Sequence, residues 1–551
     1  MLLTTLFVSV VSVLYARLGN PVPVAVSFGT VEMASVTPKD EDDGKLFLEH
    51  SDRLFANDAL WPGASILVGN VRFRHGGMTL TCDSAMWYQA RQDFDAFGNV
   101  YMWQGDTLSL VSEELYYKGG RQLAQARLAV ELKHRNTVLT TDSLDYARLQ
   151  SLGYFLNGGT MVDGDNTLVS DYGEYSTATH DAAFYYNVLL NNPKFVLNGD
   201  TLFYNTDTKI ASVVGPTDID HGQDHVYTER GFYHTTPDQM ILLERSRLFN
   251  KDRELIADSI FWDNKESWGE AWGDIFYDDI KNKNSFTGEY CYSNDSTGYS
   301  MATDRARTID YSQKDTLYAH ADTFKVFTYN IRTDSVYRVL HAYPHMRAYR
   351  VDIQAVADSM VFDGRDSTLH FYKDPVMWQN HQQVLGEEII AFMNDSTIDS
   401  VQVNRQALTV ERMDSVHYNQ VAGNYMHLYM TDGKVRETYV ETNVFVNYYP
   451  LDDDSLMIGM NHVETAEMRM YFDAEQQVDR IWMPAAEGTL YPVPMIPANM
   501  LYLQNFAWLD YMRPKDKDDI FNWVPKGQEA VLKESVLRSP PLQKLDKLKR
   551  K

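Results

Sequence analysis

Leu197-Asn198-Gly199-Asp200-Thr201-Leu202-Phe203-Tyr204 is one copy of a template that recurs with a fixed stride. An acid followed four residues later by an aromatic ring occurs at Asp83/Trp87, Glu113/Tyr117, Asp142/Tyr146, Asp171/Tyr175, Asp200/Tyr204, Glu229/Tyr233 and Asp258/Trp262. The acids stand 30, 29, 29, 29, 29 and 29 residues apart. Three residues before each acid are Leu80, Leu110, Leu139, Leu168, Leu197, Val226 and Leu255. One residue before it the side chain is always small: Cys82, Ser112, Thr141, Ser170, Gly199, Thr228 and Ala257. Aligned columns over seven units mark a structural repeat, and a period of this size belongs to solenoids, propellers or arrays.

Parity within the template predicts a bend. Positions −3 and −1 share one face of a strand, whereas +2 (Ala85, Leu115, Leu144, Gly173, Leu202, Gly231, Ile260) and the aromatic at +4 have the opposite parity, although all are apolar or small. Both sets point inward only if the strand bends or bulges near the acid, as a chain does in passing from one sheet to a facing one. The small −1 residue then fits inside the corner, and the acid stays in water or caps local N–H groups.

Working outward, short runs rich in Val, Thr, Tyr and Phe alternate with Gly, Asn and Asp turns, and no ten-residue helical stripe intervenes. A second beat falls midway between the acids, at Gly69-Asn70-Val71, Gly98-Asn99-Val100, Gly158-Gly159, Gly215-Pro216 and Gly273-Asp274-Ile275, so each unit contains two bends. After Asp258 the rhythm stretches. A degraded unit at Phe286 to Tyr290 precedes Asp322 (with Ala319, Ala321 and Phe324), Asp358 (with Ala355, Ala357, Met360 and Phe362) and Glu387 (with Val384, Gly386 and Ile389), with steps of 36, 36 and 29. Longer loops such as Ser293 to Gly298 are expected to take up the extra residues, and Asp414/Tyr418 is the last, poor match.

The expected organisation is a signal peptide over 1–16, a linker over 17–45, the repeat array over 46–420, a β-rich C-terminal region over 421–535 and a basic tail over 536–551. The leading apolar run is too short to cross a bilayer as a helix and suits a signal-peptide core. The linker carries Pro21, Pro23, Pro38 and an acidic run from Asp40 to Asp43. Beyond Val421, turns at Asp432-Gly433 and Asp473-Ala474 lead to Pro484, Pro492, Pro494 and Pro497 and an aromatic stretch from Leu501 to Leu509.

The 551 residues are 44% apolar and 13% aromatic, far too rich in core formers for a disordered chain. A formal charge of −26 excludes nucleic acid as a partner by repulsion of its phosphates, and leaves any anionic partner to be held mainly by its apolar part. Cys82 and Cys291 lie about seven repeats apart, over ~30 Å at strand spacing, so two free, buried thiols are expected.

Strand-rich units with Gly-Asn-Val beats and segments such as Thr141-Asp142-Ser143-Leu144-Asp145-Tyr146 and Ala257-Asp258-Ser259-Ile260-Phe261-Trp262 resemble the OstA-like family, which includes the periplasmic lipopolysaccharide-transport protein LptA. The resemblance covers roughly Leu46 to Tyr418, about twice the length of a compact member. It implies an all-β fold, an elongated β-jellyroll or solenoid of ~29-residue repeats in two facing antiparallel sheets with an open groove. It further implies that the apolar interior carries lipid A acyl chains across the periplasm toward the outer membrane. The groove lining would be Leu80, Leu110, Leu139, Leu168, Leu197, Val226 and Leu255, with Leu115, Leu144, Leu202 and Ile260. Partners would be lipopolysaccharide or a related glycolipid and other Lpt-type transport proteins joined by edge-strand pairing, with end-to-end self-association of the chain. No cofactor is implied.

The sequence has no Walker-type phosphate loop, Gly-x-Ser-x-Gly elbow or His-Glu-x-x-His pair. His221 and His225 lack further spaced ligands and read as a solvated turn. Asp163-Gly164-Asp165-Asn166 and Asp452-Asp453-Asp454 complete no EF-hand loop and read as turns. An acid column repeated through every unit is corner structure, because an active site is built once. The alternative function is a structural or adhesive surface β-solenoid with a filled interior and no lipid ligand.

Overall fold

The computed structural model describes residues 44–527, apart from 58, 395–397, 453, 455 and 476. The expected signal peptide, nearly all of the linker and the basic tail lie outside the described residues. Strands account for 66% of the described residues and helix for 3%, and those residues form 38 strands in antiparallel pairs. The expected all-β, jellyroll-like architecture is what the chain adopts. The described residues fall into two compact units, one comprising 44–251 and 256–269 and the other 252–255 and 270–527. The expected boundary at 420/421 falls instead inside one strand, Tyr418–Thr431, which pairs on both sides. After strand Glu487–Pro492 the remaining described chain contains only short 3-10 turns.

In the first region the repeats are pairs of bent antiparallel strands, except around Asp171, where both strands are broken at the corner. Met78–Tyr88 pairs with Asp93–Gln104, and Phe195–Asn205 with Ile210–His221. Sequential hairpins place the −3 column in direct register. The row Leu132, Leu139, Met161, Leu168, Leu190, Leu197 and Ile219 consists of successive cross-strand partners. Leu139, Leu168 and Leu197 are 0 to 1% exposed. Each buried aliphatic side chain of this size contributes ~1.5–3 kcal/mol, which makes this row the thermodynamic spine of the region.

The bend sits where parity places it. In Met78–Tyr88 the inward residues are Met78, Leu80 and Cys82 before Asp83, then Ala85 after it. The neighbouring strand accommodates the corner with one extra residue, Gly98 and Asn99 both lying at positive φ, and the register shifts between Phe97 and Val100. Gly98 is required twice over: its φ is +77°, and a Cβ there would stand 2.7 Å from an Asp83 carboxylate oxygen. That carboxylate accepts a hydrogen bond from the Asn99 side chain at 2.8 Å. Asp171 accepts likewise from Asn187 at 2.6 Å, and in the second region His345, Lys373 and Gln406, all at positive φ, contact Asp322, Asp358 and Glu387. At these positions the acid clamps the left-handed corner of the adjacent strand, and the two beats read from the sequence meet there.

In the middle of the second region the bends become breaks. Ile353–Ala357 and Ser359–Asp363 are separate strands either side of Asp358, as are Thr368–Tyr372 and Val376–Gln379. The segment after Pro492 then crosses the outer face of one wall. Beneath it runs a cross-strand row of Gln354, Trp378, Gln383, Val410, Gln420 and Asn447. A chain crossing strands at an angle cannot join their hydrogen-bond ladder, and buried backbone groups must be satisfied by side chains instead. Gln383 donates to Ala507 C=O at 2.7 Å and accepts from Leu509 N–H at 2.8 Å, while Gln420 does the same with Leu501 C=O and Leu503 N–H. Leu503, Leu509 and Met512 pack on Val356, Val376, Leu385 and Leu408.

Candidate functional site

The eleven residues expected to line a groove are all buried. Leu80, Leu110, Leu139, Leu168, Leu197, Leu115, Leu144 and Leu202 belong to one contiguous core cluster of the first region, and Val226, Leu255 and Ile260 are 5% exposed or less. The free edges of the two walls are also bridged there. The Tyr117 hydroxyl meets His75 Nδ1 at 2.8 Å and that of Tyr175 meets His134 Nδ1 at 2.9 Å. The Tyr204 hydroxyl donates to Asp163 at 2.7 Å, and the same carboxylate receives Lys209 Nζ at 2.5 Å. Arg148 donates to Gly76 C=O at 2.7 Å, and Lys194 pairs with Asp238 at 2.7 Å. The tyrosines of the +4 column are therefore an amphipathic latch, their rings in the core and their hydroxyls on the seam. Asp163 and Asn166, read from the sequence as a surface turn, are 3 and 4% exposed members of that seam. A buried acid opposite a tyrosine column carries no local signature.

The second region holds a cavity of about 690 Å³, within the size range of small-molecule and cofactor sites. None of the eleven expected residues lines it. Its first wall presents Ala319, Ala348, Ala355 and Met377, which are successive cross-strand partners in register, and the row continues past Val384 to Thr409, Val421 and Val446, which also line the cavity. Its second wall presents Met360, Phe371, Ala391, Leu428, Met430, Met468 and Met470. Ala319 and Ala355 occupy the repeat position that Leu139 and Leu168 fill in the first region, three residues before the corner acid. Replacing leucine by alanine along a row removes volume that a rigid two-walled frame does not recover by collapse. Methionine side chains, unbranched and polarizable, adapt the remaining surface to varied apolar shapes.

Hairpin tips form the rim, including Gln313 to Asp315, Arg350 to Asp352, Gln379 to Gln382 and Asp432 to Lys434. Arg350 grips Asp352 through two hydrogen bonds, at 2.6 and 3.0 Å. Burial alone would raise the Asp352 carboxyl, but that guanidinium holds it below its ordinary range. A 3.4 Å contact from the Gln379 side chain to Gly433 C=O joins opposite tips, a weak link beside the seam of the first region.

Among the described residues no group of three or more His, Cys, Asp or Glu is placed to hold a metal ion, and His225 instead contacts Asp220. No helix among them is long and apolar enough to cross a membrane. Both cysteines are free. Cys82 is buried, whereas Cys291, expected to be buried, lies on a partly exposed stretch of strand, although its enclosed thiol is pushed up to about 12 by burial.

Residues 43–200 match the family model described as OstA-like protein. The match lies within the first region and ends before the cavity. The family is one of transport and binding, not of catalysis. No curated protein matches the chain.

Proposed function

With residues 43–200 matching the OstA-like family as premise, we propose that this protein binds lipopolysaccharide or a related glycolipid in the periplasm, taking up its acyl chains in the second region and passing them toward the outer membrane. The observation that carries this reading is the cavity of about 690 Å³ lined by Ala, Met and aliphatic side chains. Each methylene moved from water into such a lining contributes ~0.8 kcal/mol, so a single acyl chain is held without any charged contact. The adaptable lining keeps the hold loose enough for transfer, and the energy for directional movement comes from elsewhere.

The leucine columns of the first region serve in this reading as packed frame, with the acyl chain in the row where Ala319, Ala348 and Ala355 leave space. Edge strands Val478–Trp482 and Glu487–Pro492, both paired to Gly459–Phe472 and largely exposed, offer backbone for pairing with Lpt-type transport proteins or with another copy of the chain.

Mass spectrometry of lipids that co-purify from the native envelope tests the proposal. Wild-type protein is expected to carry acyl lipid, and the double variant Ala319→Leu with Ala355→Leu to lose it while remaining folded. Wild-type protein free of acyl lipid would overturn the proposal. It would favour the alternative of a structural surface solenoid, for which the filled interior of the first region is the supporting observation.

A further inference from the structure

The rim of the cavity has a charge balance with a consequence for the head group. Its cations are Lys314, Arg350 and Lys434, and its carboxylates are Asp315, Asp352, Glu411 and Asp432, leaving one net negative charge. Two of these cations already have partners. The Arg350 fork is bound by Asp352, and Lys434 Nζ donates to Ala474 C=O at 3.0 Å. Phosphate groups are held by bidentate guanidinium or by converging ammonium groups, and among the described residues this rim offers them no free guanidinium fork, only Lys314 and Lys434, each with a carboxylate close by in sequence, Asp315 and Asp432, and the imidazole of His381. The chain as a whole, at −26, adds repulsion. What the rim does expose is amide, at Gln313, Asn380 and Gln382. Amides give a donor and an acceptor together, and carboxylates accept from hydroxyls, so both suit a sugar presenting many hydroxyl groups.

Resting on the proposed acyl-chain site, the geometry points to an uncharged or at most singly charged glycosyl head group as the preferred ligand, with multiply phosphorylated heads disfavoured. The rim then selects by chemistry while the cavity holds by chain length.

The test is displacement of a neutral alkyl-chain fluorophore from the full-length protein at low ionic strength. Competitors are dodecyl maltoside and dodecyl phosphate, each below its micelle-forming concentration. The maltoside is expected to displace the fluorophore at a concentration at least ~10-fold lower, a difference of ~1.4 kcal/mol. In the double variant Asp315→Asn with Asp432→Asn, which leaves the cavity walls untouched, the gap is expected to shrink several-fold through better phosphate binding. Equal or stronger displacement by the phosphate, or a gap unmoved by the two substitutions, overturns the head-group inference and leaves the acyl site standing. If the fluorophore itself does not bind, it is the acyl site that fails.

Discussion

The two regions of this protein share one repeat and put it to opposite uses. In the first, the inward row reads Leu110, Leu132, Leu139, Met161 and Leu168, and the walls are bolted along their edges by Tyr204, Asp163, Lys209, His134 and Tyr175. In the second, the same row reads Thr308, Ala319, Ala348, Ala355 and Met377, and the walls enclose a cavity. Corner acids clamp left-handed residues in both, as Asp83 and Asp171 do in the first and Asp322 and Asp358 in the second, and the size of one side chain per repeat decides between core and container. The second region also has a wall buried on both faces, since the segment crossing Gln354, Gln383 and Gln420 covers its outer side.

Exchanging the two row types is the most direct way to break the comparison. Leu168→Ala is expected to cost about 3–5 kcal/mol in urea unfolding, because the zippered frame cannot close on the space left. Ala355→Leu is expected to be neutral or stabilising by up to ~1–2 kcal/mol, since it fills existing volume. Equal costs for the two would mean that row volume does not distinguish the regions. Next in size is the seam: Asp163→Ala strands Lys209 Nζ and the Tyr204 hydroxyl, for an expected loss of about 3 kcal/mol. Hydrogen exchange should rise at the first-region edges and not around the cavity. The covered wall follows, where Gln383→Leu leaves Leu509 N–H and Ala507 C=O unpaired and should cost about 2 kcal/mol. Limited proteolysis within 500–526 reads that effect, and a wild-type cleavage pattern would deny the amide row its role.

The smallest effect is pH dependence. Burial, with His180 next, holds the His134 imidazole below its ordinary value, so the folded state favours the neutral ring. Its contribution is complete above ~pH 6.5 and is lost as pH falls through the lowered folded value. Thermal unfolding of wild type should therefore fall more steeply from pH 7 to pH 5 than that of His134→Gln, and parallel curves would remove His134 from the account.

Periodicity made the bend and the inward row legible, because corner, small residue and leucine recur at fixed offsets and a strand's faces alternate strictly. Ala319 and Ala355 stood at the leucine offset in the sequence, but the space that their small side chains leave was not read from it, because it depends on the facing wall. The seam was not legible, because Tyr204 and Asp163 meet 41 residues apart through side-chain reach. Nor was the amide row under the C-terminal segment, where Gln383 and Ala507 lie 124 residues apart.

The sequence by itself determined the all-β repeat, the corners and the register of the interior row, since these follow from local backbone geometry and the two-residue period of a strand. Only the tertiary structure decided which stretch of that interior is full and which is hollow, and what closes its edges. Volume and closure are properties of two walls facing one another, set by contacts that no single repeat contains.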